Sequence, residues 1–475
     1  MRRDLSLEMA TTREAGLAEE MADGNFSDAR LNNRLKALVT ELGKSPHLSL
    51  PRALDDAGLE GAYRFLSNHR VTPEAILAKH FCATRQRCER EPVVLIAHDS
   101  TSFSYRADGD REGLGRAQRG NENSRQTFFA HFSLALSGDG SRRALGVAGL
   151  STWTRGEEPT GTEYQRWEAQ MRSSSELLGG PQNVIHLADR EADDYEMFAA
   201  LKPDGHRFVV RCQHNRLLQY VPERVKLYEV VASIPATVER DAPINRRTAR
   251  KSEERRKTFP ARDKRMAHLC VAATPIVLLP SKNRRPHGMP DPPKSIELNV
   301  VRVWEPAPPN GEEPIEWYLY TTEPIDTPEQ QLAIVDYYRA RWTIEEYNKA
   351  LKTGCDFERR QLRDYESLIN LLAVFAPIAY RMLLVRAQAH HAPDAPALSV
   401  VSQDELDVLR TLGRRKLPDA PTAKDIYLAI AQLGGYIKYS RNPPGWLTLA
   451  RGFEELETLT LGWTAAKLQQ RSDQP

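Results

Sequence analysis

The stretch YRARWTIEEYNKALK, residues 338–352, carries a phenol, a guanidinium, a carboxylate and an ammonium on one predicted helix. At roughly 100° per residue, four of its polar side chains project within a strip about 60° wide: Tyr338, Arg341, Glu345 and Lys352. A carboxylate flanked by three donors suits a metal-bound phosphate, because the carboxylate holds the cation while the donors hold the phosphate oxygens. Charged helix faces are common, and many are simply solvated, so this strip alone does not establish a site.

Local signals bound this helix to residues 328–353. Thr327 is a favourable N-cap, Pro328 fits the first turn, and Gly354 follows the last turn as a stop signal. The sequence therefore predicts one continuous helix that presents all four polar groups on the same side.

Two apolar runs that end in aspartate strengthen the case for a site. PVVLIAH (92–98) precedes Asp99, and NVIHLA (183–188) precedes Asp189. Short apolar runs are typical of strands buried on both faces, and a carboxylate at such a strand's end lies where sites gather in α/β folds. Residues 100–102 are then expected to form a turn or to start the next segment. Either aspartate alone could be a loop residue or a helix N-cap, but with Glu345 they make three carboxylates that can converge, as in two-metal phosphoryl transfer.

These motifs resemble those of the DDE transposases of the transposon-five type, within the fourth insertion-sequence family. The first aspartate lies in HDSTSFSY (98–105) and the second in ADREAD (188–193), while the family's Tyr-Arg-Glu-Lys motif falls on the four helix residues. Further matches at 60–65, 207–211 and 428–435 extend the resemblance over nearly the whole chain.

The resemblance implies that Asp99, Asp189 and Glu345 are catalytic and ligate two Mg²⁺ ions, for which Mn²⁺ can substitute. It implies a cut-and-paste transposase that binds terminal inverted repeats, cleaves the ends through a hairpin intermediate and transfers the 3′ ends to target DNA. Its partners would be double-stranded DNA and, in the synaptic complex, a second copy of the chain. Two alternatives remain open: a catalytically inactive DNA-binding regulator, and a ribonuclease H-like nuclease without strand transfer.

Several residues are expected to contact DNA. Trp317 matches a family tryptophan that receives a flipped base, although a tryptophan in an alternating strand is more often a core residue. The basic residues of the N-terminal helix could equally form an ordinary amphipathic face. The full predicted DNA-binding set is Arg30, Arg34, Lys44, Arg211, Trp317, Tyr338, Arg341, Lys349, Lys352, Arg359 and Arg360.

The predicted fold class is α/β. Element order alone indicates a mixed sheet with helices on its faces, and the resemblance implies a ribonuclease H-like catalytic core with a β-rich insertion. Five regions follow: an N-terminal helical DNA-binding domain (1–75), the first part of the core (76–222), the insertion (223–315), the second part of the core with the glutamate helix (316–385), and a C-terminal helical dimerisation domain (386–475).

The insertion has a distinct composition. Ten prolines fall between positions 275 and 314, and residues 246–265 contain ten Lys or Arg against three acids. That basic run is dense enough to follow a phosphate backbone, although a solvated loop would have the same composition. Strands are predicted at 269–279 and 296–304.

The overall composition excludes some classes of protein. The 475 residues include 66 Lys or Arg and 64 Asp or Glu, for a net charge of +2. A globally polycationic binder is therefore excluded, and any nucleic-acid surface must come from local clustering. The five cysteines lack metal-ligand spacing and indicate reduced thiols. The expected location is the bacterial cytoplasm, nucleoid-associated on DNA, without a membrane partner, because no signal peptide or run of membrane-spanning length is evident.

Overall fold

The computed structural model describes residues 20–21, 24, 26–106, 109–117, 124–155, 163–220, 223–244, 246–247, 261–280, 292–437 and 443–472. Most of the predicted basic run, residues 248–260, lies outside these ranges, as do residues 1–19 of the predicted N-terminal domain. The first elements are four helices, three of which begin at a side chain that accepts a backbone N–H bond. They are α1 (Ala29–Lys44), α2 (Leu50–Ala53), α3 (Asp56–Leu66) and α4 (Pro73–Cys88).

A mixed sheet with two helices follows. The turn residues 138–140 between the apolar runs 128–136 and 144–148 predict a hairpin, and this hairpin is present between Gln126–Ser137 and Ala144–Trp153. Gly140 in its turn adopts φ +91°, a conformation that glycine reaches without strain. The strand order is β4-β3-β1-β5-β6, in which β3 is antiparallel to both neighbours and β1, β5 and β6 are parallel. The elements are β1 (Val94–Tyr105), β2 (Gly115–Arg116), β3 (Gln126–Ser137), β4 (Ala144–Trp153), α5 (Glu163–Leu177), β5 (Val184–Ala188), α6 (Tyr195–Leu201) and β6 (Arg207–Arg211).

The strands predicted at 269–279 and 296–304 are present, and they extend this same sheet. From β6 the sheet continues through β12, β11 and β10, and β10 carries both β9 and β7 on its other edge. The described strands thus form one twelve-stranded sheet. The added elements are β7 (Leu217–Tyr220), β8 (Glu223–Lys226), α7 (Leu227–Ala232), β9 (Val238–Ile244), β10 (Arg265–Leu278), β11 (Ile296–Trp304) and β12 (Glu316–Thr321).

The helix predicted as continuous over 328–353 is divided. Thr327 caps it with a full capping box and Pro328 occupies its first turn, as predicted. Arg341, however, separates α8 (Pro328–Ala340) from α9 (Trp342–Lys349), and a π-helical turn (Ala350–Gly354) follows. The Arg341 N–H bonds to the carbonyl three residues earlier, so the backbone tightens locally and does not keep the regular 3.6-residue period.

The remaining helices are α10 (Tyr365–His391), α11 (Gln403–Thr411), α12 (Ala423–Leu433) and α13 (Trp446–Ser472). α10 packs against α1, α3, α4 and α12 and forms the centre of the helical half of the molecule. No segment of membrane-spanning length is expected from the sequence, and this expectation is wrong. The helix Tyr365–His390 is long and apolar enough to cross a membrane by length and composition alone. However, 94% of its most apolar window is buried within the protein, as expected for a core helix.

Candidate active site

Asp99 lies within a strand, not at its end. β1 continues to Tyr105 in register with β3, whereas its pairing with β5 covers only Val94 to Ala97. Residues 100–102 are therefore strand rather than turn, because β3 is long enough to pair with all of β1. Asp99 emerges where β1 and β5 separate.

Asp189 directly follows β5, as predicted. Its carboxylate accepts the Glu191 N–H across 2.9 Å and so caps the short 3₁₀ turn Arg190–Ala192. Because β1 and β5 are parallel neighbours, Asp99 and Asp189 occupy the same edge of the sheet.

The α9 helix packs against β1 and brings Glu345 to this edge. The Asn348 side-chain amide donates to Asp99 Oδ2 across 2.6 Å. Arg341 Nη1 lies 3.7 Å from Asp99 Oδ1, and Arg341 Nη2 donates to Glu345 Oε1 across 3.2 Å. The Arg341 guanidinium therefore stands between the two carboxylates.

The local electrostatics favour a bound cation. Burial, together with the Glu345 carboxylate, raises the pKa of Asp99 to about 8, although Arg341 opposes this shift. Burial and the Asp189 carboxylate likewise raise the pKa of Glu191, which sequence reasoning had not placed in the site. Asp189 and Glu345 are the other carboxylates that interact with this pair, and Arg341 and Lys352 are the nearby cations.

The donor set fits divalent metal ions of the Mg²⁺ class, which prefer oxygen ligands. Asn348 Oδ1 is a further buried oxygen at this point, and no described residue offers it a hydrogen bond. The carboxylate oxygens of Asp99, Asp189 and Glu345 do not all lie within 4.8 Å of one another, however. Among the described residues, one group of three has its ligand atoms within 4.8 Å of one another, and that group lies on β9 and β10.

Three residues predicted to contact DNA lie together beside the carboxylates. The ring centroids of Trp317 and Tyr338 are 5.7 Å apart, and the Arg211 guanidinium lies 6.0 Å from the Trp317 centroid. Tyr338 is buried, whereas Trp317 is only partly buried. Arg211 interacts with both Tyr338 and Arg341, so this group adjoins the candidate metal site.

The two predicted lysines have different surroundings. Lys352 Nζ lies 5.4 Å from the Phe103 ring centroid on β1 and interacts with Glu345. Burial lowers its pKa. Lys349 pairs with Glu346 across 2.6 Å and lies over the exposed Trp342 ring. The structure thus places Lys352 at the site and Lys349 on a neighbouring surface.

The three N-terminal candidates lie on α1. The side chain of Arg30 is 93% exposed. The Arg34 guanidinium packs so closely on α3 that a Cβ at Gly61 would lie 2.3 Å from Arg34 Cζ. Lys44 pairs with Glu41 across 2.6 Å. Arg30 is therefore the most accessible of the three.

The prediction that Arg360 contacts DNA is wrong. Arg360 is only 3% exposed, and its guanidinium donates to the carbonyls of Pro46, Leu48 and Cys355. A basic pair in a sequence does not reveal which member faces inward, and here the neighbouring Arg359 is the exposed one. Arg360 instead attaches the N-terminal helices to the segment that follows the π-helical turn.

A cleft of about 1100 Å³ begins at Lys352 and runs between the N-terminal helices and α13. Arg52, Arg359 and Arg451 also line it. Sequence reasoning missed Arg52 and Arg451, because they are far from every motif and the fold alone brings them together.

A chain of buried histidines crosses the sheet behind Asp99. His98 Nδ1 lies 3.2 Å from His131 Nε2, and His98 Nε2 lies 2.9 Å from His186 Nδ1. Ser175 Oγ then links His186 to His206, across 2.8 and 3.2 Å. Burial lowers the pKa of all four imidazoles. The sequence signal was a histidine inside each of three apolar strands.

The last aspartate of ADREAD has a structural role. Asp193 is buried and accepts the N–H groups of Gln213 and His214, across 2.6 and 2.9 Å. It also pairs with Arg216 at 2.8 Å. Asp193 therefore fixes the loop after β6.

Comparisons with known proteins agree with the motifs. Residues 13–71 match the family model described as transposase DNA-binding, and residues 160–376 match the model described as transposase DDE domain. Asp189 and Glu345 fall within the second match, and Asp99 precedes it. Among solved structures, the piggyBac transposase synaptic complex with hairpin DNA, determined by cryo-EM, is similar at 9% sequence identity over 97% of this chain and 80% of that chain. Its TM-score of 0.35 is too low to support a structural argument.

Proposed function

We propose that this chain, in which residues 13–71 and 160–376 match the transposase DNA-binding and DDE models, is a DNA transposase that moves its element by cut-and-paste. Residues 1–75 would bind the terminal inverted repeats. The active site would nick each end, use the freed 3′-hydroxyl to form a hairpin, reopen the hairpin and join the 3′ end to target DNA. The observation that carries the proposal is that Asp99, Asp189 and Glu345 lie at one edge of the sheet and all interact with Arg341.

Asp99, Asp189 and Glu345 would hold two Mg²⁺ ions, with Mn²⁺ able to substitute. When bound, such ions activate an attacking oxygen and stabilise the leaving oxygen in phosphoryl transfer. The raised pKa of Asp99 supports this assignment, because a buried carboxyl beside other carboxylates is stabilised as the anion by added positive charge.

The chain's own cations would hold the DNA phosphates. Arg341 Nη1 lies 3.7 Å from Asp99 Oδ1 but makes no hydrogen bond with any described residue, so it can donate one to a phosphate oxygen. Lys352 approaches the site from the β1 side, and Tyr338 from the β12 side. Arg211 and Trp317, next to Tyr338, would receive an extruded base, because aromatic and guanidinium planes stack on any base.

The strand order β4-β3-β1-β5-β6 supports a ribonuclease H-like core. In this order β4, β3 and β1 alternate in direction, and β5 and β6 run parallel to β1. In this proposal the core comprises residues 76–222 and 316–385, and residues 223–315 are a β-rich insertion that shares its sheet.

Residues 386–475 would supply the dimer contact of the synaptic complex. α12 and α13 already pack on one another, and α12 packs on α10 of the same chain, so a partner would use the outer surface of α13. Leu461 on α13 is 49% exposed and is available for such a contact.

The direct test incubates the protein with end-bearing DNA and Mg²⁺. Asp99→Ala, Asp189→Ala and Glu345→Ala should each abolish cleavage and leave end binding largely intact, because phosphate contacts supply most of the affinity. Glu346→Gln, on the same helix, is the matched control and should cleave. Retained cleavage by any of the three alanine variants would remove that residue from the active site.

The same assay separates the two alternative functions. Binding without cleavage by the wild-type protein would favour a catalytically inactive regulator. Cleavage without joining of a 3′ end to target DNA would favour a ribonuclease H-like nuclease.

Assembly is tested by mixing two variants. One has Arg30 and Arg34 changed to Ala and binds ends poorly, and the other is Glu345→Ala and does not cleave. If each end is bound by one chain and cut by the other, the mixture should process ends that neither variant cuts alone. Efficient cleavage of a lone end by a monomeric protein would contradict this model.

A further inference from the structure

The outer face of the β9–β10 pair carries four side chains that can ligate a metal ion. Glu239 and Asp241 alternate along β9, and His268 and Cys270 alternate along β10. The antiparallel register sets His268 opposite Asp241 and Cys270 opposite Glu239. Because alternate residues share a face, all four project from the same side of the ribbon.

The ligand atoms are close to one another. His268 Nε2 lies 3.2 Å from Glu239 Oε2, and Cys270 Sγ lies 3.9 Å from Glu239 Oε1. The ligand atoms of these three residues all lie within 4.8 Å of one another. His268 Nδ1 also lies 3.0 Å from Asp241 Oδ1.

We propose that Glu239, His268 and Cys270 form a zinc site, with water as the fourth ligand and Asp241 accepting a hydrogen bond from His268 Nδ1. In a tetrahedral zinc site with bonds of 2.0–2.3 Å, neighbouring ligand atoms are roughly 3.3–3.8 Å apart. The ligand atoms of the observed cluster therefore need to move closer by about 1.5 Å at most, which side-chain rotation can supply. Binding takes Cys270 as the thiolate and His268 as the neutral imidazole, so the Cys270 thiol proton and the proton on His268 Nε2 are released to solvent.

The donor set distinguishes this site from the carboxylate triad. A thiolate with an imidazole and one carboxylate selects zinc over Mg²⁺, which prefers oxygen ligands alone. The two sites would therefore take different metals. The zinc proposal does not depend on transposase activity, because it rests on β9 and β10 only.

The position of the site suggests what the metal does. β9 ends at Ile244 and β10 begins at Arg265, so these strands flank the segment that contains most of the basic run. Without a metal, they are joined on this face by an ion pair between His268 and the carboxylates of Glu239 and Asp241. A zinc ion would replace the ion pair between His268 and Glu239 with coordinate bonds. These bonds would join the two strands that flank the basic run.

The test uses the full-length protein, stripped with a chelator and dialysed against Zn²⁺ or Co²⁺. The wild-type protein should retain zinc, measured by plasma mass spectrometry, and Co²⁺ should produce the charge-transfer absorption of a cobalt–thiolate bond. Cys270→Ser should remove that absorption, and both Cys270→Ser and His268→Gln should weaken zinc binding at least about tenfold.

Two controls make the result specific. Cys82→Ser removes an exposed thiol elsewhere and should keep the absorption. Asp99→Asn alters the carboxylate triad and should also keep it. Melting temperatures of the stripped variants establish that each is folded. Absence of the cobalt–thiolate band in the wild-type protein, or an unchanged band in folded Cys270→Ser, would overturn the proposal.

Discussion

The Asn348 side-chain amide donates a hydrogen bond to Asp99 Oδ2 across 2.6 Å and joins residues 249 positions apart in the chain. Asn348 lies three residues after Glu345 on α9, so the bond fixes the helix that carries one carboxylate against the strand that carries another. It also leaves Asp99 Oδ1 on the side of Arg341. The relative position of Asp99 and Glu345 therefore depends on an amide outside the three-carboxylate motif.

Replacing Asn348 should slow cleavage without weakening end binding. We expect Asn348→Ala to reduce the cleavage rate about 10–100-fold, the usual effect of losing a partner that orients a metal ligand. Asn348→Asp should be slower still, because it adds a like charge beside Asp99. Single-turnover cleavage measures both effects, with the exposed Asn183→Ala as control. Wild-type rates for Asn348→Ala would exclude a positioning role.

Trp317→Ala should slow hairpin formation more than first-strand nicking, because nicking needs no extruded base. The stacking lost is worth about 1–3 kcal/mol, and Trp317→Phe should restore part of the rate. A gel that resolves nicked and hairpin products measures the two steps separately. Equal loss of both steps with a lower Tm would instead assign Trp317 to the core, where its contact with Tyr338 already partly places it.

The adjacent residues Arg359 and Arg360 should respond oppositely to the same change. Arg360→Met leaves three carbonyls without a charged donor and should cost roughly 3 kcal/mol of folding free energy. Arg359→Met, whose side chain is 82% exposed, should leave the Tm unchanged. It should weaken binding to all DNA sequences alike. The slope of log binding constant against log salt concentration should decrease by the amount expected for about one phosphate contact. Melting curves and binding isotherms at several salt concentrations measure both, and similar melting of the two variants would contradict the assignment.

The buried histidines should make the protein sensitive to mild acid. Burial lowers the pKa of His131 and of His186 from 6.5 to about 3, so both imidazoles are neutral when folded. The unfolded chain binds their protons below pH 6.5, so this stability is complete above pH 6.5 and is lost as the pH falls toward 3. As the pH falls from 6.5 to 5, each of these histidines should lower the free energy of unfolding by about 2 kcal/mol.

Melting temperatures between pH 8 and 5 test this expectation. His186→Gln removes one titrating group and should flatten the decline. The exposed His69→Gln should keep the wild-type slope. An identical slope in all three proteins would show that other groups govern the acid sensitivity.

Local signals predicted much of the fold. The Thr327 cap, the hairpin between β3 and β4, and the strand before Asp189 follow from short-range rules of capping, turns and apolar runs. Such rules depend on a few adjacent residues and therefore operate before any tertiary contact is known.

The remaining features depend on partners that are distant in sequence. β1 continues past Asp99 because β3 offers a partner for every residue to Tyr105, and Arg360 turns inward because the carbonyls of Pro46 and Leu48 are there. Cysteine spacing along the chain does not reveal the cluster of Glu239, His268 and Cys270, because its members come from two paired strands. No local pattern contains that information.

The attachment of the N-terminal helices has a consequence for engineering. Arg360 holds the carbonyls of Pro46 and Leu48, and Asn370 on α10 holds those of Leu66 and Val71. The described part of the region that matches the transposase DNA-binding model, residues 13–71, is thus bonded directly to α10 and to the segment before it. Exchanging it with that of a relative would require transplanting the receiving surface as well, and a swap that ignores Arg360 and Asn370 should misalign recognition with cutting even when both halves fold.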